Sequence, residues 1–183
     1  MPRAALRVVL AGLAAAAMMA ILAGPAAAST GEGRADGPVG APGFVAVHDS
    51  RTLATVPHGW SFLQRTPDGL STLNHLTSLT AGRSVTVHEL VFNHAQACAG
   101  NGIPGLSACG AADMVPGGPA GYVELNGPTG VASPAGTLTL FDWIGDRSVT
   151  NPEGAVVILS FSVEGCGTGL PCANQLAVHN PPD

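Results

Sequence analysis

The residues of this chain that could do chemistry are six histidines, four cysteines and a thin set of carboxylates. The histidines are His48, His58, His75, His88, His94 and His179. Imidazoles bind copper and zinc, and β-rich exported proteins can hold such ions through them. His88 and His94 flank the most apolar stretch of the front half, yet an extended chain separates them by about 20 Å, too far to share an ion. His75, on the strand before, is the residue that a hairpin would bring opposite His88. These two are therefore the candidate copper or zinc ligands. No H-x-H, H-E-x-x-H or Cys-His copper spacing accompanies them.

Hydrolysis needs other groups. Glycoside cleavage uses two carboxyl groups about 5 to 9 Å apart, and Glu89 with Glu124 or Asp142 is the pairing available. Ser107 lies in Gly105-Leu106-Ser107-Ala108-Cys109, which lacks the final glycine of a nucleophile elbow. Gly100-Asn101-Gly102 and Gly117-Gly118 lack the lysine and following helix of a phosphate loop. No catalytic or cofactor-binding residue is assigned on this basis.

Arg3 and Arg7, the apolar run Val8–Ala23 and the small residues Ala26-Ala27-Ala28 have the pattern of an export signal over residues 1–28. Residues 29–42 are rich in glycine and proline and poor in large apolar side chains, as in an unstructured leader. Residues 43–183 are enough for one domain. Lysine is absent, and seven arginines stand against twelve acidic residues. That balance excludes nucleic acid as a partner and gives no basic patch for a membrane surface after signal cleavage. An even number of cysteines in an exported chain implies disulfides. Three connectivities are open for Cys98, Cys109, Cys166 and Cys172. Pairing 98 with 109 and 166 with 172 closes two local Gly/Pro loops. The expected location is secreted, periplasmic or cell-wall associated.

The elements that must position these groups are short strands. Phe44–His48 begins the domain, and Thr66-Pro67-Asp68-Gly69 is a turn. Leu70–Thr77 alternates without declaring its inner face. In Ser84–Phe92 the apolar phase shifts: Val85 and Val87 share one face, Leu90 and Phe92 the other. Either both faces are covered or a bulge lies at His88-Glu89. Residues 93–119 read as loop with a helical turn at Ala95–Ala97. Ala120–Leu125 is a short strand stopped by an Asn126-Gly127-Pro128 turn. Gly136–Gly145, Ala155–Val163 and Gln175–His179 complete the set. Arg51–Trp60 is irregular because of Pro57 and Gly59, and Trp60, Phe62 and Leu63 are assigned to the core. Without helical periodicity to make parallel crossovers, the fold class is all-β, a mainly antiparallel sandwich or partly closed barrel with long Gly/Pro-rich loops.

Thr86–Cys98 followed by Cys109-Gly110-Ala111-Ala112-Asp113 resembles a group of uncharacterised secreted bacterial proteins with a TVWxxVFNxPxxC strand and loop and a CGxxD element. Arg65–Gly69 and Gly154–Val156 are also similar to that group. His88-Glu89 stands where aromatic or apolar residues are usual, and His94 where asparagine is common. The resemblance implies an exported bacterial protein and brings no activity with it.

The expected function is a non-catalytic binding or structural module of the cell surface or extracellular space, with an extracellular ligand or protein as partner and no cofactor. A copper- or zinc-binding protein and a secreted hydrolase are the alternatives. For a binding module, an exposed apolar or aromatic patch is expected near the 98–109 loop.

Overall fold

The computed structural model describes residues 43–182, apart from 101, 146–148 and 166–173. The expected export signal and leader, and the expected pairing of Cys166 with Cys172, lie outside the described residues.

The chain is all-β. Among the described residues there are eight strands: β1 (Phe44–Asp49), β2 (Thr55–Thr66), β3 (Gly69–Leu76), β4 (Ser84–Phe92), β5 (Tyr122–Val131), β6 (Leu138–Ile144), β7 (Val156–Val163) and β8 (Gln175–His179). They form one antiparallel sheet in the order β5-β4-β7-β8-β1-β2-β3-β6. The two end strands, β5 and β6, pack side by side without a hydrogen-bonded ladder, so the sheet curls into a nearly closed barrel with one open seam. No helix among the described residues is long and apolar enough to cross a membrane.

Alternation decides what fills the barrel. Val85, Val87 and Val91 of β4, Val157, Leu159, Phe161 and Val163 of β7, Leu70 and Leu76 of β3, and Leu140 and Ile144 of β6 point inward and form the main core. The inner face of β3 is thus Leu70, Thr72, Asn74 and Leu76, which resolves its ambiguous alternation. Gly130 keeps the seam tight: a side chain there would start 2.8 and 2.9 Å from methyls of Leu140 and Leu138.

A second core lies outside the barrel. Leu90 and Phe92 of β4, Val156 and Ile158 of β7, and Leu176 and Val178 of β8 point outward and are covered by the segment between β4 and β5. This explains the phase shift in β4. Both of its faces are covered in its second half, and its register with β7 runs unbroken from Val85↔Val163 to Phe92↔Val156. The bulge falls on the neighbouring strand instead. Between Thr86↔Thr129 and His88↔Asn126, β5 carries one extra residue, at Gly127-Pro128. Asn126-Gly127-Pro128 therefore bends β5 without ending it. Proline supplies no N–H to a ladder, and a bulge is where a strand tolerates it.

β2 is a similar correction. Pro57 and Gly59 lie inside a twelve-residue strand, because the β1–β2 register slips between Ala46↔Trp60 and His48↔Thr55. His58, at φ 61°, lies within that irregularity.

The covering segment is tied down by the residues of the resemblance motif. Cys98 and Cys109 form a disulfide. The Asp113 carboxylate accepts hydrogen bonds from the Ala99 and Gly110 amides at 2.8 and 2.9 Å. Asn93 is buried: its amide donates to Gly121 O at 3.1 Å, and its Oδ1 accepts from the Thr150 and Asn151 amides at 2.7 and 3.3 Å. The expected helical turn is a 3-10 turn at Ala95–Ala97, joined by a second at Ala111–Asp113. In this chain the motif is a device for fastening a loop. Asn93→Ala removes one buried donor and strands the amides that bond to its oxygen. It is expected to cost about 2–3 kcal/mol, read as a lower denaturant midpoint with an unchanged slope.

Candidate functional site

The structure does not bring the proposed histidine ligands together. β3 lies between β2 and β6, whereas β4 lies between β5 and β7, so His75 and His88 are not cross-strand neighbours. His75 stacks on Trp60 at 5.6 Å between ring centroids and bonds through Nδ1 to Thr139 Oγ1 at 3.0 Å. His88 points outward from β4, 3.9 Å from Glu124 Oε1. His94 lies past the end of β4, beside Gly121. Among the described residues, no group of three His, Cys, Asp or Glu side chains forms a metal-binding set.

The carboxylates are separated by the pleat. Glu89 pairs with Leu125 and faces inward, while Glu124, opposite Leu90, faces outward and accepts a hydrogen bond from Tyr122 Oη at 2.9 Å. Burial, then that bond and the Glu124 charge, push the Tyr122 phenol up to about 12. Glu89 and Glu124 thus lie on opposite faces, but Glu89 and Asp142 do meet. Glu89 is 2% exposed, and Asp142 points inward from β6 at the open seam. Gly127 lies against both: a Cβ there would stand 3.2 Å from Glu89 Oε1 and 3.2 Å from Asp142 Oδ2. Burial, then the charge of Asp142 and a hydrogen bond shared with it, push the Glu89 carboxyl up to about 8. Glu89 is therefore protonated at neutral pH and donates to Asp142, while its Oε1 has no hydrogen-bond partner.

Two carboxyl groups with different environments are the usual arrangement for acid–base chemistry. Here Glu89 is enclosed by Val87, Gly127 and the inner faces of β4 and β5, and Asp142 is half-buried at the seam. Two clefts, of about 420 and 530 Å³, open elsewhere: one beside Thr55, Leu79 and Gln175, the other beside Phe44, Arg65 and His179. Neither is lined by Glu89 or Asp142.

A second buried polar group escaped the sequence altogether. Ser61, Asn74 and His179 come from β2, β3 and β8 and share the barrel interior. Ser61 Oγ donates to Asn74 Oδ1 at 2.6 Å and lies 2.8 Å from His179 Nε2. Asn74 Nδ2 donates to Thr72 Oγ1 at 3.3 Å. Burial, with the charge of Arg65 adding to it, lowers the His179 pKa to about 3, so the ring is neutral. Because the Ser61 proton is committed to Asn74, His179 Nε2–H is the donor to Ser61 Oγ. That is the reverse of the polarity in which histidine activates a serine, and Ser61 has no exposed surface. The group satisfies buried hydrogen bonds inside the barrel.

The outer face of β1-β2-β3-β6 is different. Cross-strand register sets its outward residues in three rows: Ala46–Trp60–His75–Thr139, Phe44–Phe62–Leu73–Phe141 and Gln64–Ser71–Trp143. None is Asp, Glu, Lys or Arg. The chain has five Phe, two Trp and one Tyr, and Phe44, Trp60, Phe62, Phe141 and Trp143 all stand on this one face. Phe44 contacts Phe62 and Trp60, with centroids 4.6 and 5.5 Å apart. Phe141 and Trp143 remain 52% and 48% exposed. Of the segment assigned to the core, only Leu63 points inward; Trp60 and Phe62 belong to this surface. The aromatic patch is therefore across the barrel from the 98–109 loop, which is packed onto β4, β7 and β8. The signal was present in Leu138–Ile144, where Leu138, Leu140 and Ile144 alternate with Thr139, Phe141 and Trp143.

Compared with known proteins, the chain matches no family model and no curated protein.

Proposed function

We propose that this chain is an exported bacterial binding module without a catalytic role, and that it binds through the aromatic outer face of β1-β2-β3-β6. The observation that carries this reading is the placement of five of the eight aromatic side chains on one uncharged sheet face, with Phe141 and Trp143 half exposed. Contiguous apolar surface of this kind marks interaction sites, and aromatic rings dominate the energetics of such sites. The signal-like residues 1–28 and the Cys98–Cys109 disulfide support export to an oxidising compartment.

Co-sedimentation with the insoluble cell envelope tests the reading. The wild-type chain is expected in the pellet. The double variant Phe141→Thr/Trp143→Thr, which keeps β propensity on the strand, is expected in the supernatant with a melting temperature close to wild type. A wild-type chain that stays in the supernatant, or a variant that pellets equally, would refute the assignment of this face.

A further inference from the structure

We propose that the partner of this face is an uncharged polysaccharide, whose sugar rings stack on Trp143 and Phe141 and whose hydroxyls bond to Gln64, His75 and Thr139. The inference rests on the preceding reading that this face is the binding surface, and adds the chemistry of what it binds.

Aromatic rings and polar groups stand side by side on this face. The apolar side of a pyranose presents C–H bonds, which carry partial positive charge and fit the negative face of an aromatic ring. Its hydroxyl edge needs donors and acceptors beside the ring. Phe141 and Trp143 are exposed on β6, two residues apart and so about 7 Å from each other along the strand. Gln64 and Thr139 are exposed at the margins of the same face. The bond between His75 and Thr139 holds that imidazole and hydroxyl in place. Thr139, Phe141 and Trp143 form an exposed line along β6 of about 13 Å, room for two to three linked sugar rings.

The face is also uncharged. A face without Lys or Arg has nothing to offer a phosphate, a uronic acid or an anionic lipid surface. A face without Asp or Glu has nothing for a cationic partner. The neutral surface matches a neutral ligand.

The face is also small. The three rows hold about eleven positions, against the roughly 20–30 residues per side of a stable protein interface. Trp60 and Phe62 already spend much of their surface on Phe44 and His75. What remains open is a narrow strip suited to a chain one sugar wide. β6 is paired with β3 along its whole length, which fixes its backbone and keeps the ordering cost of binding small.

Tryptophan fluorescence and calorimetric titrations of the purified chain with cellohexaose, laminarihexaose, maltohexaose and chitohexaose provide the test, with a galacturonic acid oligomer as the charged control. The expected result is binding to at least one neutral hexasaccharide, insensitive to salt, and weakened at least tenfold by Trp143→Thr and by Phe141→Thr separately. Binding only to the acidic oligomer would overturn the proposal, as would self-association in light scattering that Trp143→Thr abolishes. If no neutral oligomer binds but the double variant still loses envelope sedimentation, the ligand class is wrong and the face stands. If sedimentation is also unaffected, both fail.

Discussion

Replacing Glu89 with glutamine is expected to raise the melting temperature at pH 8 to 9 and to leave it unchanged near pH 4. The carboxyl of Glu89 lies inside the barrel, and burial pushes its folded-state pKa from the usual 4.5 up to about 8. Between those values the folded chain holds a proton that the unfolded chain has lost, so stability falls as pH rises through that window. The buried acid is neutral below it in both states and costs nothing relative to glutamine. Above it the folded protein must keep a buried carboxylate beside Asp142, at a penalty on the order of 3–5 kcal/mol. Glutamine has nearly the same shape, donates to Asp142 through its amide and does not titrate. A gain of roughly 10 °C at high pH follows. His179 contributes the opposite slope: its folded pKa is lowered to about 3, so its stabilisation is complete above pH 6.5 and is lost as pH falls toward 3. Comparing wild type with Glu89→Gln at each pH cancels that term. A melting-temperature difference that is the same at pH 4 and pH 9 would contradict a protonated Glu89 in the barrel.

The second large effect is expected from Cys98→Ala/Cys109→Ala. The disulfide closes a loop of sequence separation 11, and its loss should cost about 2–3 kcal/mol through the freedom regained by the unfolded chain. The damage should be local first. The stapled segment covers Leu90, Phe92, Val156, Ile158, Leu176 and Val178, so the variant should expose this outer core and bind a hydrophobic dye while the barrel interior holds. Hydrogen exchange is the direct readout. The His94 amide, bonded to Ala120 O at 3.0 Å, should lose protection, whereas amides along the β4–β7 ladder should keep theirs. Unchanged stability and protection would mean that Asn93 and Asp113 hold the segment without the bridge.

Period-two patterning made much of the strand inventory legible, most clearly in the second half of β7, where Leu159, Phe161 and Val163 point inward and Ser160 and Ser162 outward. It failed where a strand absorbs residues that normally end one. Gly127-Pro128 in β5 and Pro57 with Gly59 in β2 read as breaks, and only pairing with a neighbour shows them to be irregularities within continuous strands. The disulfide 98–109 was legible because it is local. The Glu89–Asp142 contact depends on the sheet curling until its first and last strands touch, a non-local event that leaves no local trace. The same is true of Ser61, Asn74 and His179. The aromatic face was hidden by a different confusion: in Trp60-Ser61-Phe62-Leu63 the polar serine lies inside and two of the large apolar side chains lie outside. Hydrophobicity by itself assigns Trp60 and Phe62 to the core. Register with β3 and β6 assigns them to the surface.

Chemical-shift mapping of the isotope-labelled chain, during titration with the envelope polysaccharide with which it sediments, tests directly whether the aromatic face is the binding surface. The account predicts perturbations centred on Trp60, Phe62, Leu73, Phe141 and Trp143, with the indole signal of Trp143 among the largest and residues 98–109 silent. Perturbations confined to the stapled loop, with the aromatic face unmoved, would contradict it.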